Sequence, residues 1–134
     1  MKRLLDTNAY VALKRGDTRI SALVRSADEL VFSIVVVGEL LFGFRNGTRY
    51  ESNLDELEQF LSHPAVRVLA AGRVTADRFG RVAAGLRKAG TPIPTNDIWI
   101  AAHAMEAGAE LVTLDRHFES VAGLAVIVEG TGNS

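Results

Sequence analysis

Apolar and polar positions follow two different periods in alternating blocks along the chain. Short runs rich in apolar residues predict strands, at residues 2–5, 30–34, 66–69, 111–114 and 124–128. Between them, apolar residues recur every three or four positions, which predicts helices; in residues 35–47 these are Val37, Leu40, Leu41 and Phe44. Strands that alternate with helices predict an α/β domain built on a parallel sheet of about five strands.

Polar residues that favour helix N-caps stand close to several of the predicted helices. Asn53 and Thr75 are expected to begin the two helices on either side of the third strand. Thr95 or Asn96 is expected to cap the last long helix. That helix is apolar on nearly all sides, which is typical of a buried helix.

Four carboxylates stand in apolar surroundings, unlike most of the sixteen acidic residues. Asp6 and Asp115 end the first and fourth predicted strands, and Glu39 lies on the helix after the second strand. Asp97 lies in the first turn of the buried helix, whose start faces the carboxyl end of the strand that follows. In a parallel sheet with right-handed crossovers, all four therefore approach one edge, where such folds bind ligands.

Each of these carboxylates also has an ordinary structural explanation. Asp97 complements a helix dipole, Asp6 and Asp115 suit strand-end turns, and Glu39 could pair with an arginine. Taken together they repel one another, and only Arg116 lies among them. A hard divalent cation such as Mg²⁺ or Mn²⁺ is the simplest compensation, and such a site can hydrolyse phosphodiesters. Zinc is disfavoured because cysteine and an HExxH pattern are absent.

Composition and charge restrict the function classes further. The 134 residues carry a net charge of −1, so the chain lacks the basic field of a strong sequence-independent nucleic-acid binder. The absence of cysteine excludes disulfides and thiolate catalysis, and together with the lack of an 18-residue apolar run it favours a cytoplasmic protein without a membrane span. We expect one domain, 1–134, with 129–134 as a flexible tail.

Four short motifs resemble those of PIN-domain proteins, in particular the VapC-type toxins of bacterial and archaeal toxin–antitoxin pairs. The motifs are Leu5-Asp6-Thr7-Asn8, Gly38-Glu39-Leu40, Thr95-Asn96-Asp97, and Leu111–Asp115 before Phe118. The resemblance implies a three-layer α/β/α fold and a Mg²⁺- or Mn²⁺-dependent endoribonuclease acting on RNA such as tRNA or rRNA. It also implies a homodimer held inactive by a small VapB-type antitoxin.

Residue by residue, the resemblance implies a catalytic and metal-binding quartet of Asp6, Glu39, Asp97 and Asp115. It implies supporting roles for Thr7, Asn8, Asn96 and Thr113, which would aim the carboxylates through hydrogen bonds. Some relatives carry a further acid two residues after the fourth carboxylate, where this chain has His117. That difference leaves three interpretations open: a weakened second metal site, a phosphate contact or a solvated surface residue.

The sequence also agrees with two other functions and contains two candidate interaction surfaces. A metal-dependent phosphatase would also place Asp6 at the end of the first strand, but that class usually has a second Asp where Asn8 stands. A catalytically inactive PIN-like binding module is the third alternative. The helix face with Arg78, Arg81 and Lys88 suits either RNA or solvent, and residues 42–50 are a candidate antitoxin or dimer surface.

Overall fold

Five parallel strands form one sheet in the computed structural model, which describes residues 1–130. The strands are β1 (Lys2–Leu5), β2 (Glu29–Ser33), β3 (Val66–Leu69), β4 (Glu110–Thr113) and β5 (Val126–Val128). Their order across the sheet is β3-β2-β1-β4-β5. Leu4 on the central strand lies opposite Val31 on β2 and Leu111 on β4. The predicted parallel sheet of about five strands is confirmed.

Helices flank this sheet, which confirms the predicted α/β/α class. They are α1 (Thr7–Lys14), α2 (Thr18–Arg25), α3 (Ile34–Arg45), α4 (Tyr50–Leu61), α5 (Arg73–Ala89) and α6 (Thr95–Ala107), with a short 3₁₀ helix at Arg116–Ser120. Helix α6 packs against β1 and β2, and α5 packs against α6. Within residues 1–130, no helix has the length and apolar character needed to cross a membrane.

The predicted starts of α4 and α5 are wrong. Helix α4 begins at Tyr50, and the backbone N–H of Asn53 already donates to the carbonyl of Arg49, at 2.9 Å. Helix α5 begins at Arg73, so Thr75 lies inside its first turn. There its hydroxyl accepts a hydrogen bond from the backbone N–H of Gly72 at 3.0 Å. Both helices begin about one turn earlier in the chain than their polar residues predicted. The carbonyls of Arg49 and Gly72 accept the first helical hydrogen bonds, from the N–H groups of Asn53 and Ala76.

Two further boundaries differ from the prediction. Ile34 belongs to α3 and not to β2, because the Ser33 hydroxyl accepts from the Val35 N–H at 3.0 Å and caps the helix there. Helix α6 begins at Thr95 directly after Pro94, and no side chain caps it. The expectation that Thr95 or Asn96 provides that cap is therefore wrong.

The predicted tail begins with residues that hold fixed contacts. The Glu129 N–H donates to the carbonyl of Thr113 at 2.9 Å, which extends the pairing of β5 with β4. The carbonyl of Gly130 accepts a hydrogen bond from the Arg19 guanidinium. The rest of the predicted tail, residues 131–134, lies outside the described residues.

An aromatic cluster fills the core where α1 and α4 meet β2. The ring of Tyr10 lies edge-on to Phe32 and Phe60, with centroid separations of 5.8 and 5.5 Å. Phe32 is fully buried, and its centroid is 5.6 Å from that of Phe60. Edge-to-face pairs of this kind add to the free energy gained by burying the rings.

Replacing Tyr10 with Phe is expected to raise the free energy of unfolding by about 1 kcal/mol. The Tyr10 hydroxyl is buried and has no hydrogen-bond partner among residues 1–130, and its burial raises the pKa of Tyr10 to about 12. An unpaired buried hydroxyl destabilises the folded state, while Phe keeps the ring contacts. Urea unfolding of the two proteins measures the difference, and a destabilised Tyr10→Phe variant would show that the hydroxyl does have a partner.

Candidate active site

A polar pocket of about 490 Å³ opens at the carboxyl edge of the sheet. Its lining includes all four predicted carboxylates and three of the predicted supporting residues: Asp6, Glu39, Asp97, Asp115, Thr7, Asn8 and Asn96. The fourth supporting residue, Thr113, is fully buried at the end of β4. The sequence positions that supply this pocket span more than a hundred residues, and the parallel topology brings them together.

Asp6 is the most buried of the four carboxylates, with 6% of its surface exposed. One oxygen caps α1 by accepting from the Ala9 N–H at 2.9 Å, and the other accepts from the Thr113 hydroxyl. Burial raises the pKa of Asp6 to about 6, and repulsion from Asp97 and Asp115 acts in the same direction. The end of β1 therefore carries a carboxylate whose negative charge is poorly compensated.

Glu39 is positioned by two of the residues predicted to support it. Its side chain extends from the second turn of α3 and accepts from the Thr7 hydroxyl at 2.5 Å. Its other carboxylate oxygen accepts from the Asn96 amide at 3.2 Å. Asn96 therefore connects α6 to α3 at the pocket.

Asp97 and Asp115 are joined by the imidazole of His117. The Nε2 atom forms a hydrogen bond with Asp97 at 2.7 Å, and the Nδ1 atom lies 3.0 Å from Asp115. Asp115 also caps the 3₁₀ helix by accepting from the His117 N–H at 3.0 Å. Burial raises the pKa of Asp97, and the hydrogen bond from His117 partly opposes that shift.

Arg116, the one cation among the four sequence motifs, is paired elsewhere and not with the quartet of carboxylates. Arg116 pairs with Glu119 at 3.3 Å, and its side chain is 78% exposed. His117 contacts Asp97 and Asp115 instead, with 32% of its side chain exposed. Of the three interpretations of His117, the solvated surface residue does not agree with these contacts.

The donor set suits a hard divalent cation, because it consists of carboxylate and amide oxygens. As arranged, however, no three His, Asp or Glu side chains within residues 1–130 are positioned to hold an ion together. The carboxylates are instead bonded to hydroxyl, amide, imidazole and backbone donors. Metal binding therefore requires these side chains to converge further, while their supporting hydrogen bonds can be kept, and the quartet's role as ligands stays a prediction.

A buried histidine connects the two helices that carry Glu39 and Asp97. His103 on α6 is fully buried, and its Nδ1 lies 2.7 Å from the Ser33 hydroxyl that caps α3. Its Nε2 lies 3.3 Å from the carbonyl of Ala70. Ser33 can donate to Nδ1 while Nε2 donates to the carbonyl, so the neutral ring satisfies both contacts.

Acidification is expected to destabilise the protein through His103. Burial lowers the pKa of His103 despite the Ala70 hydrogen bond and nearby Glu106, so the unfolded chain takes up the proton first as the pH falls below about 6.5. Asp6, whose raised pKa acts in the opposite direction, titrates in both proteins. Between pH 7.5 and 5.5 the free energy of unfolding should therefore fall more, or rise less, in the wild-type protein than in His103→Gln, which keeps a donor and an acceptor. Urea unfolding at both pH values measures this, and an equal change in both proteins would contradict it.

Comparisons with known proteins identify the family. The PIN domain profile matches residues 3–124. Ribonuclease VapC2 of Haemophilus influenzae is 36% identical over 127 residues, which cover 92% of this chain and 95% of that protein. The tRNA(fMet)-specific endonuclease VapC of Salmonella typhimurium is 30% identical, covering 94% and 96% of the two chains. The solved structure of VapBC-1 from nontypeable Haemophilus influenzae superimposes with a TM-score of 0.84 at 30% identity, covering 96% and 98%. The chain therefore belongs to the PIN domain family, within its VapC group.

Proposed function

We propose that this chain is a Mg²⁺- or Mn²⁺-dependent endoribonuclease that acts as the toxin of a toxin–antitoxin pair. The observation that carries the proposal is the grouping of Asp6, Glu39, Asp97 and Asp115 around one solvent-accessible pocket. Four carboxylates in so small a space repel one another, which a scaffold protein has no reason to maintain. The similarity to proteins named ribonuclease VapC supports RNA as the substrate class.

The quartet offers the oxygen ligands that Mg²⁺ and Mn²⁺ prefer, so these four side chains would hold the ion. A bound divalent ion supplies positive charge for the phosphate and lowers the pKa of a coordinated water. No serine, cysteine or histidine nucleophile is required for such hydrolysis. This agrees with a pocket lined by carboxylates, hydroxyls and amides.

The protein's own contribution is to hold the carboxylates in place. Thr113 and the Ala9 N–H fix both oxygens of Asp6, while Thr7 and Asn96 fix those of Glu39. These donors restrict the orientation of each ligand before substrate arrives, as supporting hydrogen bonds do in metal sites. The imidazole of His117 holds Asp97 through a hydrogen bond of 2.7 Å.

We further propose that the substrate is a tRNA, that the chain forms a homodimer and that a VapB-type antitoxin binds it. The name of the Salmonella relative, a tRNA(fMet)-specific endonuclease, supports the substrate, and the VapBC-1 structure of Haemophilus supports the partner. Phe42 on α3 is 69% exposed and suits an apolar partner surface. Co-purification with the product of the adjacent reading frame tests the partner.

The decisive experiment incubates the purified chain with tRNA and with rRNA, with Mg²⁺ or Mn²⁺ present and after chelation. We expect discrete tRNA fragments only when a divalent ion is present. Cleavage of rRNA alone would change the substrate class. Hydrolysis of small phosphomonoesters without cleavage of RNA would contradict the proposal and favour the phosphatase.

A further inference from the structure

A second pocket continues from the carboxylate pocket along one face of α1. Its volume is about 670 Å³, within the range of ligand-binding clefts. Asn8 and Asp115 line both pockets, so the two pockets adjoin at these side chains. A polymer bound at the carboxylates therefore has a path into this second space.

Residues of α1 at helical spacing form one wall of the second pocket, namely Asn8, Val11, Ala12 and Arg15. They occupy positions i, i+3, i+4 and i+7, which lie on one side of a helix. The wall is polar beside the carboxylates, small and apolar in the middle and basic at its far end. Seven helical residues span about 10 Å, which corresponds to about three stacked nucleotides of a single strand.

Two arginines provide the positive charge of this pocket. Arg15 is exposed, and within the described chain no carboxylate forms an ion pair with it. Arg116 follows Asp115 in the lining that comes from the segment after β4, and its contact with Glu119 is exposed to solvent on both sides. Both guanidinium groups are therefore available to a ligand.

Two acidic residues also line this pocket, Asp115 where it adjoins the carboxylate pocket and Asp17 near Arg15. Asp17 accepts hydrogen bonds from the backbone of Arg19 and Ile20 at 2.9 and 3.1 Å, where it caps α2. It also lies 3.7 Å from the Arg19 guanidinium, and these contacts lower the pKa of Asp17. Asp17 is thus bonded at the start of α2, and within the described residues it forms no ion pair with Arg15.

We infer that this pocket is an RNA-backbone subsite in which Arg15 and Arg116 bind phosphates, with Arg15 within about three nucleotides of the cleaved bond. The inference rests on the proposed ribonuclease function and adds the path of the strand. Arginine forms paired hydrogen bonds with phosphate oxygens, and the small apolar side chains between the two ends leave room for a base. Arg15 and Arg116 are positioning residues, because they lie beyond the reacting phosphate.

The test compares Arg15→Ala, Arg116→Ala and the control Arg25→Ala on a short RNA that wild type cleaves. Arg25 is an exposed arginine near the amino end of β1, since its neighbour Ser26 accepts a hydrogen bond from Arg3. We expect each subsite variant to lower kcat/KM about tenfold, mainly through KM. Each should also reduce the slope of log(kcat/KM) against log salt by about 0.7. The control should change kcat/KM by less than about twofold.

Neutral methylphosphonate linkages placed singly on either side of the cleaved bond locate the contacts. One such linkage should weaken cleavage by wild type about tenfold and have little effect on the matching arginine variant. Subsite variants indistinguishable from Arg25→Ala would overturn the inference. Variants that cleave normally but escape the antitoxin would overturn it as well, because they would assign the pocket to a protein partner.

A measurement of RNA binding tests the subsite independently of the proposed ribonuclease function. In the Asp6→Asn background, fluorescence anisotropy measures the affinity for labelled single-stranded RNA without cleavage. A tenfold loss in Arg15→Ala or Arg116→Ala, relative to Arg25→Ala, supports the subsite even if wild type cleaves no RNA. Equal affinities would overturn the subsite even if wild type proves to be a ribonuclease.

Discussion

Asp6→Asn is expected to lower kcat/KM for RNA cleavage by about a thousandfold, equivalent to about 4 kcal/mol of transition-state stabilisation. The substitution preserves shape, because the amide oxygen can still accept from the Ala9 N–H and the amide nitrogen can donate to Thr113. It removes a negative charge that a divalent cation requires. The measurement is steady-state cleavage of a defined RNA at saturating Mg²⁺ or Mn²⁺.

The matched control is Asp77→Asn on α5. Asp77 is an exposed carboxylate paired with Arg81 at 3.0 Å, so its loss should change kcat/KM by less than about twofold.

The stability of Asp6→Asn provides a second readout. Because burial raises the pKa of Asp6 to about 6, the ionised carboxylate destabilises the metal-free fold at pH 7.5, and Asn relieves this. Asp6→Asn should therefore unfold at no lower urea concentration than wild type. Retention of activity within tenfold would falsify the assignment of this pocket as the active site.

Phe32→Ala is expected to lower the free energy of unfolding by about 3–5 kcal/mol, a large share of the stability of an ordinary domain. Phe32 is fully buried on β2, and its ring contacts those of Tyr10 and Phe60. Removing it leaves a cavity where α1 and α4 meet the sheet. Urea and thermal unfolding measure the effect, and we expect the midpoint temperature to fall by roughly 10 °C or more.

Phe42→Ala provides the comparison for this core substitution. Phe42 is 69% exposed on α3, so its truncation should change stability by less than about 0.5 kcal/mol. Equal effects at the two positions would contradict the proposed core. A large effect at Phe42 alone would show that an apolar partner surface is already covered in the isolated protein.

The placement of Asp6 and Asp115 follows from sequence because strand ends in a parallel sheet share an edge. That rule needs only the order of strands and helices, which apolar periodicity supplied. It could not reveal which donor each carboxylate would bind. Asn96, expected both as a helix cap and as a supporting residue, donates to Glu39 on a different helix, and the sequence did not indicate that partner. Contacts between distant segments depend on side-chain geometry that no local pattern encodes.

The basic end of the second pocket also escaped sequence analysis. Arg15 stands between Lys14 and Gly16 at the end of α1 and resembles an ordinary cationic helix terminus. Its proposed role in binding RNA depends on Arg116, which lines the same pocket and lies about a hundred residues later in the chain. The seven-residue interval from Asn8 to Arg15 was the available signal, because it places both residues on one helical face.

The sheet order has a consequence for the chain during its synthesis. The central strand β1 is made first, yet one of its neighbours, β4, ends only at Thr113, whose hydroxyl binds Asp6. A growing chain that has not yet released this segment from the ribosome lacks Thr113 and Asp115, and hence half of the pocket's central contacts. Pairing across such a separation is also slow to form. We therefore expect the pocket to form only after residues 113–115 have left the ribosome, which would delay the onset of activity until the end of the chain's synthesis.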